Sequence, residues 1–261
     1  MSIHPIYHKK MIQQPQVIFL DAVGTLFTVK GSVGEVYGQL ASQHGVETDT
    51  HALNSAFFQA FSTAVPMAFP NASAEQIPQL EYQWWETIAI ETFKTVGVFQ
   101  QFSDFSQFFA QLYDYFTTDQ PWFVYPDVLP MLQKWQNQGI ELGVVSNFDS
   151  RLYPVLDVLN LAPFFKSVTI STTVGSAKPN SEIFQVALQK HHCSSEDVLH
   201  IGDSVSADYH GAKQVGIQAM IVNREVDENV RSRLSQPEVE FCTSLTEIDF
   251  TTFSDHFTNF L

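Results

Sequence analysis

Cysteine is scarce in this chain: its 261 residues hold only Cys193 and Cys242. The two lie far apart and outside any CxxC spacing, which argues against a disulfide framework or a thiolate zinc site and suits a reducing compartment. Basic residues are scarce as well, 13 Lys and Arg against 28 Asp and Glu, for a formal charge of −15. Affinity for nucleic acid rests on cations that neutralise phosphates, so DNA, RNA and anionic membrane surfaces are disfavoured as partners. No apolar run approaches the roughly 20 residues needed to span a bilayer. The stretch Met1 to Gln14 has no apolar block of signal-peptide length. These shortages together lead us to expect a soluble, cytoplasmic protein with neither membrane nor nucleic acid as a partner.

What the chain does have is apolar side chains, 44% of it hydrophobic and 13% aromatic. That is too hydrophobic for disorder, and the length is enough to bury a full core without staples. Short β-branched runs occur at Gln16–Leu20, Glu141–Val145, Ser167–Ile170, Val198–Ile201 and Ala219–Val222. Near-continuous runs of this kind fit strands buried on both faces, as in a parallel sheet. Between them, helical periodicity covers Val128–Gln138, Leu152–Asn160, Ser181–His191 and Ala207–Val215, with Gly139 and Gly216 as stop signals. Alternating strand and helix predict an α/β, Rossmann-like parallel sheet.

The stretch from Val29 to Pro121 breaks the alternation. It reads as packed helices rich in aromatics, among them Phe57, Phe61, Trp84, Trp85, Phe108 and Phe109, with no convincing strand. Between Gly31 and Trp122 the only Lys or Arg is Lys94. The expected organisation is therefore a core of residues 1–28 and 122–261 with a helical insert at 29–121. The tail beyond Asp249 reads as a helix or a docking segment.

A doubly wound sheet places ligands beyond the carboxyl ends of its strands. Asp21 follows the first run (FLDAVGTLF), Ser146 the second (VVSNFD) and Asp203 the fourth (HIGDSVSAD), with Asp208 five residues on. Lys178 precedes a helix in GSAKPNSEIF. Any one of these is an ordinary cap or turn residue, but the ordered conjunction of carboxylates, hydroxyl and ammonium on one edge points to chemistry.

These four segments resemble, in order, the motifs of the haloacid dehalogenase-like superfamily, nearest to the branch typified by a rhythmically expressed gene product. The resemblance implies a hydrolase, most often a Mg²⁺-dependent phosphatase, whose helical insert is a cap over the core. It implies Asp21 as the nucleophile that forms an aspartyl phosphate, with Mg²⁺ held by Asp21, the carbonyl of Val23, Asp203 and Asp208. It also implies Ser146, Asn147 and Lys178 as phosphoryl-binding groups, with Gly24 and Thr25 shaping the loop after Asp21. The acidic insert then favours a small phosphorylated substrate with a neutral body.

One position departs from the pattern. The family's phosphatases carry a second Asp two residues after the nucleophile as general acid and base, and here that residue is Val23. Such a group contributes typically about 10²–10⁴-fold, or about 3–5 kcal/mol. A phosphatase with undemanding leaving groups, such as acyl or aryl phosphates, is one outcome, and His44 or His51 of the insert could stand in as the acid. A binding or regulatory protein without turnover is the second outcome. A phosphonate hydrolase with a Schiff-base lysine, for which only Lys30 and Lys94 are available, or a dehalogenase, is the third. His191, His192 and Cys193 are adjacent, but consecutive helical residues diverge, which argues against a shared metal.

Overall fold

The computed structural model describes residues 11–224 and 239–251. Of the tail beyond Asp249, expected to be a helix or docking segment, Phe250 and Thr251 instead belong to a strand paired with Met11–Gln13, and the rest lies outside the described residues. Strands β1 (Met11–Gln13), β2 (Val17–Leu20) and β3 (Phe27–Val29) precede four helices, α1 (Val33–Gln43), α2 (Thr50–Thr63), α3 (Ile77–Val96) and α4 (Phe105–Tyr115). Next come β4 (Trp122–Val124), α5 (Val128–Asn137), β5 (Glu141–Ser146), α6 (Leu152–Val158), β6 (Ser167–Ile170), α7 (Ser171–Val174), α8 (Ser181–His191) and β7 (Val198–Gly202). A π-helical turn at Val205–His210 runs into α9 (Gly211–Gln214), followed by β8 (Gln218–Val222), β9 (Phe241–Cys242) and β10 (Asp249–Thr251).

Six parallel strands form the central sheet in the order β6-β5-β2-β7-β8-β9; the five predicted runs are β2, β5, β6, β7 and β8, and β9 is a sixth strand the apolar runs did not mark. Side chains of successive strand residues point to opposite faces, so each strand feeds two cores. Ile18, Leu20, Leu142, Val144, Leu199 and Ile201 pack under Leu132, Trp135, Leu152 and Leu156 of α5 and α6. On the other face, Val17, Phe19, Val145, Val198 and Ile221 pack with Ile183, Phe184 and Ala187 of α8. Both faces are thereby covered, which is why these strands read as continuous apolar runs rather than alternating ones.

The four helices of the insert form a third apolar cluster, built on Tyr37, Leu53, Phe57, Phe93, Phe108 and Leu112. Three of the four starts are set by polar caps: Ser32 Oγ accepts from the Glu35 amide, Asp49 from the His51 and Ala52 amides, and Asp104 from the Gln107 amide. The ribbon that joins the insert to the sheet left no pattern in the sequence. β3 and β4 pair antiparallel, Phe27 opposite Val124 and Val29 opposite Trp122, so the expected limits at residues 29 and 121 fall at the open end of a hairpin-like ribbon. Phe27 is buried edge-on against Trp122 there, at 5.1 Å. Three residues per strand are too few to show a period, and the ribbon forms only because two distant segments meet.

A second departure lies at residues 205–215. The periodicity predicts one α-helix from Ala207, but the chain first makes the π turn, with the Asp208 and Tyr209 amides both donating to Ser204 O. Wide turns of this kind are frequent at functional sites, and this one carries the buried Asp208. No helix among the described residues is long and apolar enough to cross a membrane.

Candidate active site

The carboxyl ends of β2, β5 and β7 lie side by side, so the residues just after them meet. Asp21 follows β2, its amide donating to Ile201 O at 2.9 Å. The chain then turns back at once. Leu26 N donates to Ala22 O and Gly24 N to Phe27 O, both at 2.8 Å. Gly24 has φ +84°, and a Cβ there would lie 2.2 Å from Asp203 Oδ2, so only glycine lets this loop touch the β7 loop. Thr25 is fully buried behind the loop. Its carbonyl accepts from Arg224 Nη2 at 2.7 Å, and Arg224 is in turn held by Asp127.

Lys178 enters from the segment before α8. Asn147 fixes its backbone from both sides: the Asn147 amide donates to Lys178 O at 2.9 Å, and the Lys178 amide donates to Asn147 Oδ1 at 2.7 Å. The Asn147 side chain is thus committed to holding Lys178, whereas the sequence suggested direct phosphoryl binding. Burial opposes the charge of Lys178, but Asp208 and Asp21 outweigh it and raise its pKa above the usual lysine range. The ammonium lies 2.6 Å from Asp208 Oδ1 and 2.8 Å from Asp21 Oδ1. The contact with Asp21 falls outside hydrogen-bonding direction, so that buried oxygen is charge-paired yet lacks a directed donor.

Asp208 is nearly fully buried and saturated. Its Oδ1 accepts from Lys178 and from His200 Nε2 at 2.8 Å, and its Oδ2 accepts from the Ser204 amide at 3.0 Å. Burial opposes its charge, but Lys178 and His200 outweigh it and hold the carboxyl well below the usual range. Gly202 makes room, since a Cβ there would lie 2.1 Å from Asp208 Cγ. Asp203 is the opposite case. Its side chain opens to the cavity but is densely surrounded by protein, and burial together with Asp21 and Asp208 pushes its pKa up to about 7.

His200 escaped the sequence reading. It sits fully buried on β7, edge-on to Phe184 at 5.2 Å, and steadies Asp208 from behind. The signal was a histidine inside an apolar strand (VLHIG), whose ring nitrogen must find a buried partner.

The oxygens of Asp21, Asp203 and Asp208 lie within 4.8 Å of one another, a group able to hold a metal ion. Three carboxylates, one bearing an oxygen without a directed donor, face a single ammonium, and an all-oxygen donor set of this kind suits a hard divalent cation. Asp21, Val23, Ser146, Asn147, Lys178, Asp203 and Asp208 all line one cavity of about 610 Å³ that continues between the sheet edge and the helices of the insert. The remaining candidates do not line it. His44 bonds Gln111 at 2.8 Å, and His51 lies at the start of α2. Lys94 is exposed beside Glu91, and Lys30 reaches Asp119 O. His191 turns away to Glu141 and Ser167, at 2.9 and 2.8 Å.

A profile of haloacid dehalogenase-like hydrolases matches residues 15–216, most of the chain. The chain belongs to the haloacid dehalogenase-like hydrolase family. Among relatives of this hydrolase is haloacid dehalogenase-like hydrolase domain-containing protein 3 of Mus musculus, 32% identical over 237 residues, which cover 90% of this chain and 92% of the relative. The rhythmically expressed gene 2 protein of Drosophila melanogaster is 29% identical over 218 residues, covering 80% of this chain and 84% of the fly protein. Among solved structures, a HAD-hydrolase of Bacillus subtilis bound to magnesium matches the fold with a TM-score of 0.63 at 17% identity. That match covers 82% of this chain and 92% of the bacterial one.

Proposed function

We propose that this hydrolase is a Mg²⁺-dependent phosphatase of small phosphate esters, with residues 29–121 as a cap over the site and Asp21 as the nucleophile. The observation that carries the reading is the grouping of Asp21, Ser146, Lys178 and Asp203 around the floor of one cavity. Asp21 and Asp203 would hold the cation, with the carbonyl of Val23. Asp208, with both its oxygens already engaged, would act mainly by fixing Lys178 and the Ser204 turn. When bound, the cation would neutralise phosphoryl charge facing the carboxylates, and the magnesium in the B. subtilis relative supports that choice.

In the first step a carboxylate oxygen of Asp21 attacks phosphorus and the ester oxygen departs, leaving an aspartyl phosphate. Ser146 and Lys178 stabilise charge on the phosphoryl oxygens. Water then cleaves the acyl phosphate and regenerates Asp21. Val23 lines the same cavity and can neither give nor take a proton, so turnover of esters with basic leaving groups is slow. The helices bring no lysine to the cavity lining, which removes the support for a Schiff-base phosphonate hydrolase.

The test is turnover of p-nitrophenyl phosphate and acetyl phosphate with Mg²⁺ by wild type and Asp21→Asn. Activity in wild type and none in Asp21→Asn supports the phosphatase. Binding of phosphate analogues with no turnover of either compound would establish the binding-protein reading instead.

A further inference from the structure

The cavity does not end at the carboxylates. It continues between the helices of the cap, where Phe57, Phe58, Phe61, Trp85, Tyr113 and Phe116 line it. Three of these rings lie in nearly parallel planes: Phe57 and Phe61 at 22°, Phe57 and Trp85 at 5°, and Phe61 and Trp85 at 27°. Phe58 and Phe61 are 55% and 44% exposed, although both border the cavity. Large aromatic faces left open at a cavity wall are unusual unless a ligand covers them.

This part of the cavity also offers no anchor for a second anion. Among the described residues its one cation is Arg151, whose Nε and Nη2 bind Asp149 at 2.9 and 2.7 Å and whose Nη1 donates to Tyr113 O at 3.3 Å. The Tyr113 ring covers the guanidinium face at 3.8 Å. The only other lining cation among the described residues, Lys178, sits at the floor between Asp21 and Asp208. Charge belongs at one end of the substrate, and an uncharged aromatic body at the other.

The leaving group points the same way. Val23 at the floor offers the departing oxygen no proton. A phenol has a pKa of about 10, as in tyrosine, whereas an alkoxide is close to hydroxide, at about 16. An aryl oxygen departs readily as the phenolate, and an alkyl oxygen does not.

We infer that the substrate class is an aryl phosphate monoester with an uncharged body, its ring against the Phe57–Phe61–Trp85 wall and its phosphoryl group at Asp21. The inference rests on the phosphatase reading. In balance, an Asp21 oxygen bonds to phosphorus while the phosphorus–aryl oxygen bond breaks, its electron pair staying on the phenolate, which takes a proton from solvent. Water then bonds to phosphorus, the bond to Asp21 breaks, and the water's proton stays with the released phosphate or passes to solvent.

The experiment compares kcat/KM, with Mg²⁺, for phenyl, 2-naphthyl, benzyl, methyl and acetyl phosphates. Phenyl and 2-naphthyl phosphates should exceed methyl phosphate. Benzyl phosphate, which has the ring but an alkoxide leaving group, should match the KM of phenyl phosphate with kcat lower by about 100-fold or more. Phe61→Ala, a change at a half-exposed ring, should lower the phenyl-to-acetyl ratio of kcat/KM by about tenfold, mainly through KM. Turnover of acetyl phosphate with phenyl and methyl phosphates equal, or an unchanged ratio in Phe61→Ala, overturns the inference and leaves the phosphatase standing. Failure to turn over any of the five, acetyl phosphate included, overturns both.

Discussion

Lys178 and Asp208 form a buried pair, 2.6 Å from Nζ to Oδ1, in which the ammonium is shared with Asp21 and the carboxylate with His200. The pair joins the segment before α8 to the π turn after β7, so it carries both a structural and a chemical load. Removing one partner of a buried ion pair costs more than the pair itself contributes, because the other charge is left uncompensated. Lys178→Met should therefore lower stability at neutral pH by about 3 kcal/mol and abolish phosphoryl turnover. The urea midpoint reads the first effect, and an unchanged midpoint would show that His200 and the Ser204 amide hold Asp208 without Lys178.

Asp203 gives a pH dependence whose sign follows from its raised pKa. In the unfolded chain an aspartate titrates near the usual value of 3.8, and here folding moves it up to about 7. Between those values the folded state binds more protons than the unfolded one, so this group's contribution to stability falls as pH rises through the window. Asp203→Asn should flatten that part of the metal-free profile, read as melting temperature from pH 4 to 8 in a chelator. Added Mg²⁺ should raise the wild-type melting temperature most at the upper end, by mass action on the ionised site, and much less in Asp203→Asn.

Val23→Asp returns a carboxyl to the cavity floor. A positioned acid contributes about 10²–10⁴-fold where the leaving group is basic, so methyl phosphate turnover should rise by about 100-fold. Phenyl phosphate, which needs no proton, should gain much less. Comparable gains for both would place the rate limit of wild type elsewhere than in leaving-group protonation.

These variants separate what the sequence disclosed from what it did not. Asp21, Ser146 and Asp203 were legible because a buried parallel strand is a continuous apolar run, and the first polar residue after it marks the functional edge. Lys178 was legible only through its motif, since nothing local says that a lysine before a helix folds inward. The role of Asn147 was hidden because its partner is a backbone 31 residues away. The π turn was hidden because the apolar spacing of residues 207–215 fits an α-helix equally well, and the wide turn is set by Ser204 O accepting two amides. Side-chain bonds between the helices and the core were invisible for the same reason: each is a single contact across a long stretch of chain, with no period to betray it.

The strongest of those hidden contacts is at Glu81. It sits on α3, nearly fully buried, and its Oε1 accepts from the Ser150 amide at 3.0 Å, from Ser150 Oγ at 2.9 Å and from Thr172 Oγ1 at 2.5 Å. Burial, aided by the charge of Asp149, raises its pKa, while the three donors pull the other way. One turn further along the same helix, Trp85 Nε1 donates to Asp149 Oδ2 at 2.5 Å, so the same segment after β5 is gripped twice. Glu81→Ala leaves three donors without their acceptor and should cost about 2 kcal/mol. It should also raise KM for aryl phosphates, because the aromatic wall that includes Trp85 is carried on the same helix. Glu81→Gln keeps an acceptor oxygen and should retain most of the stability and the KM. The raised pKa adds a sign: above the ordinary glutamate value, stability from this group falls as pH rises through its folded pKa, a dependence that Glu81→Gln should remove. A wild-type urea midpoint and KM in Glu81→Ala would show that the Trp85–Asp149 bond, the β3–β4 ribbon and apolar packing hold the helices on the core without Glu81.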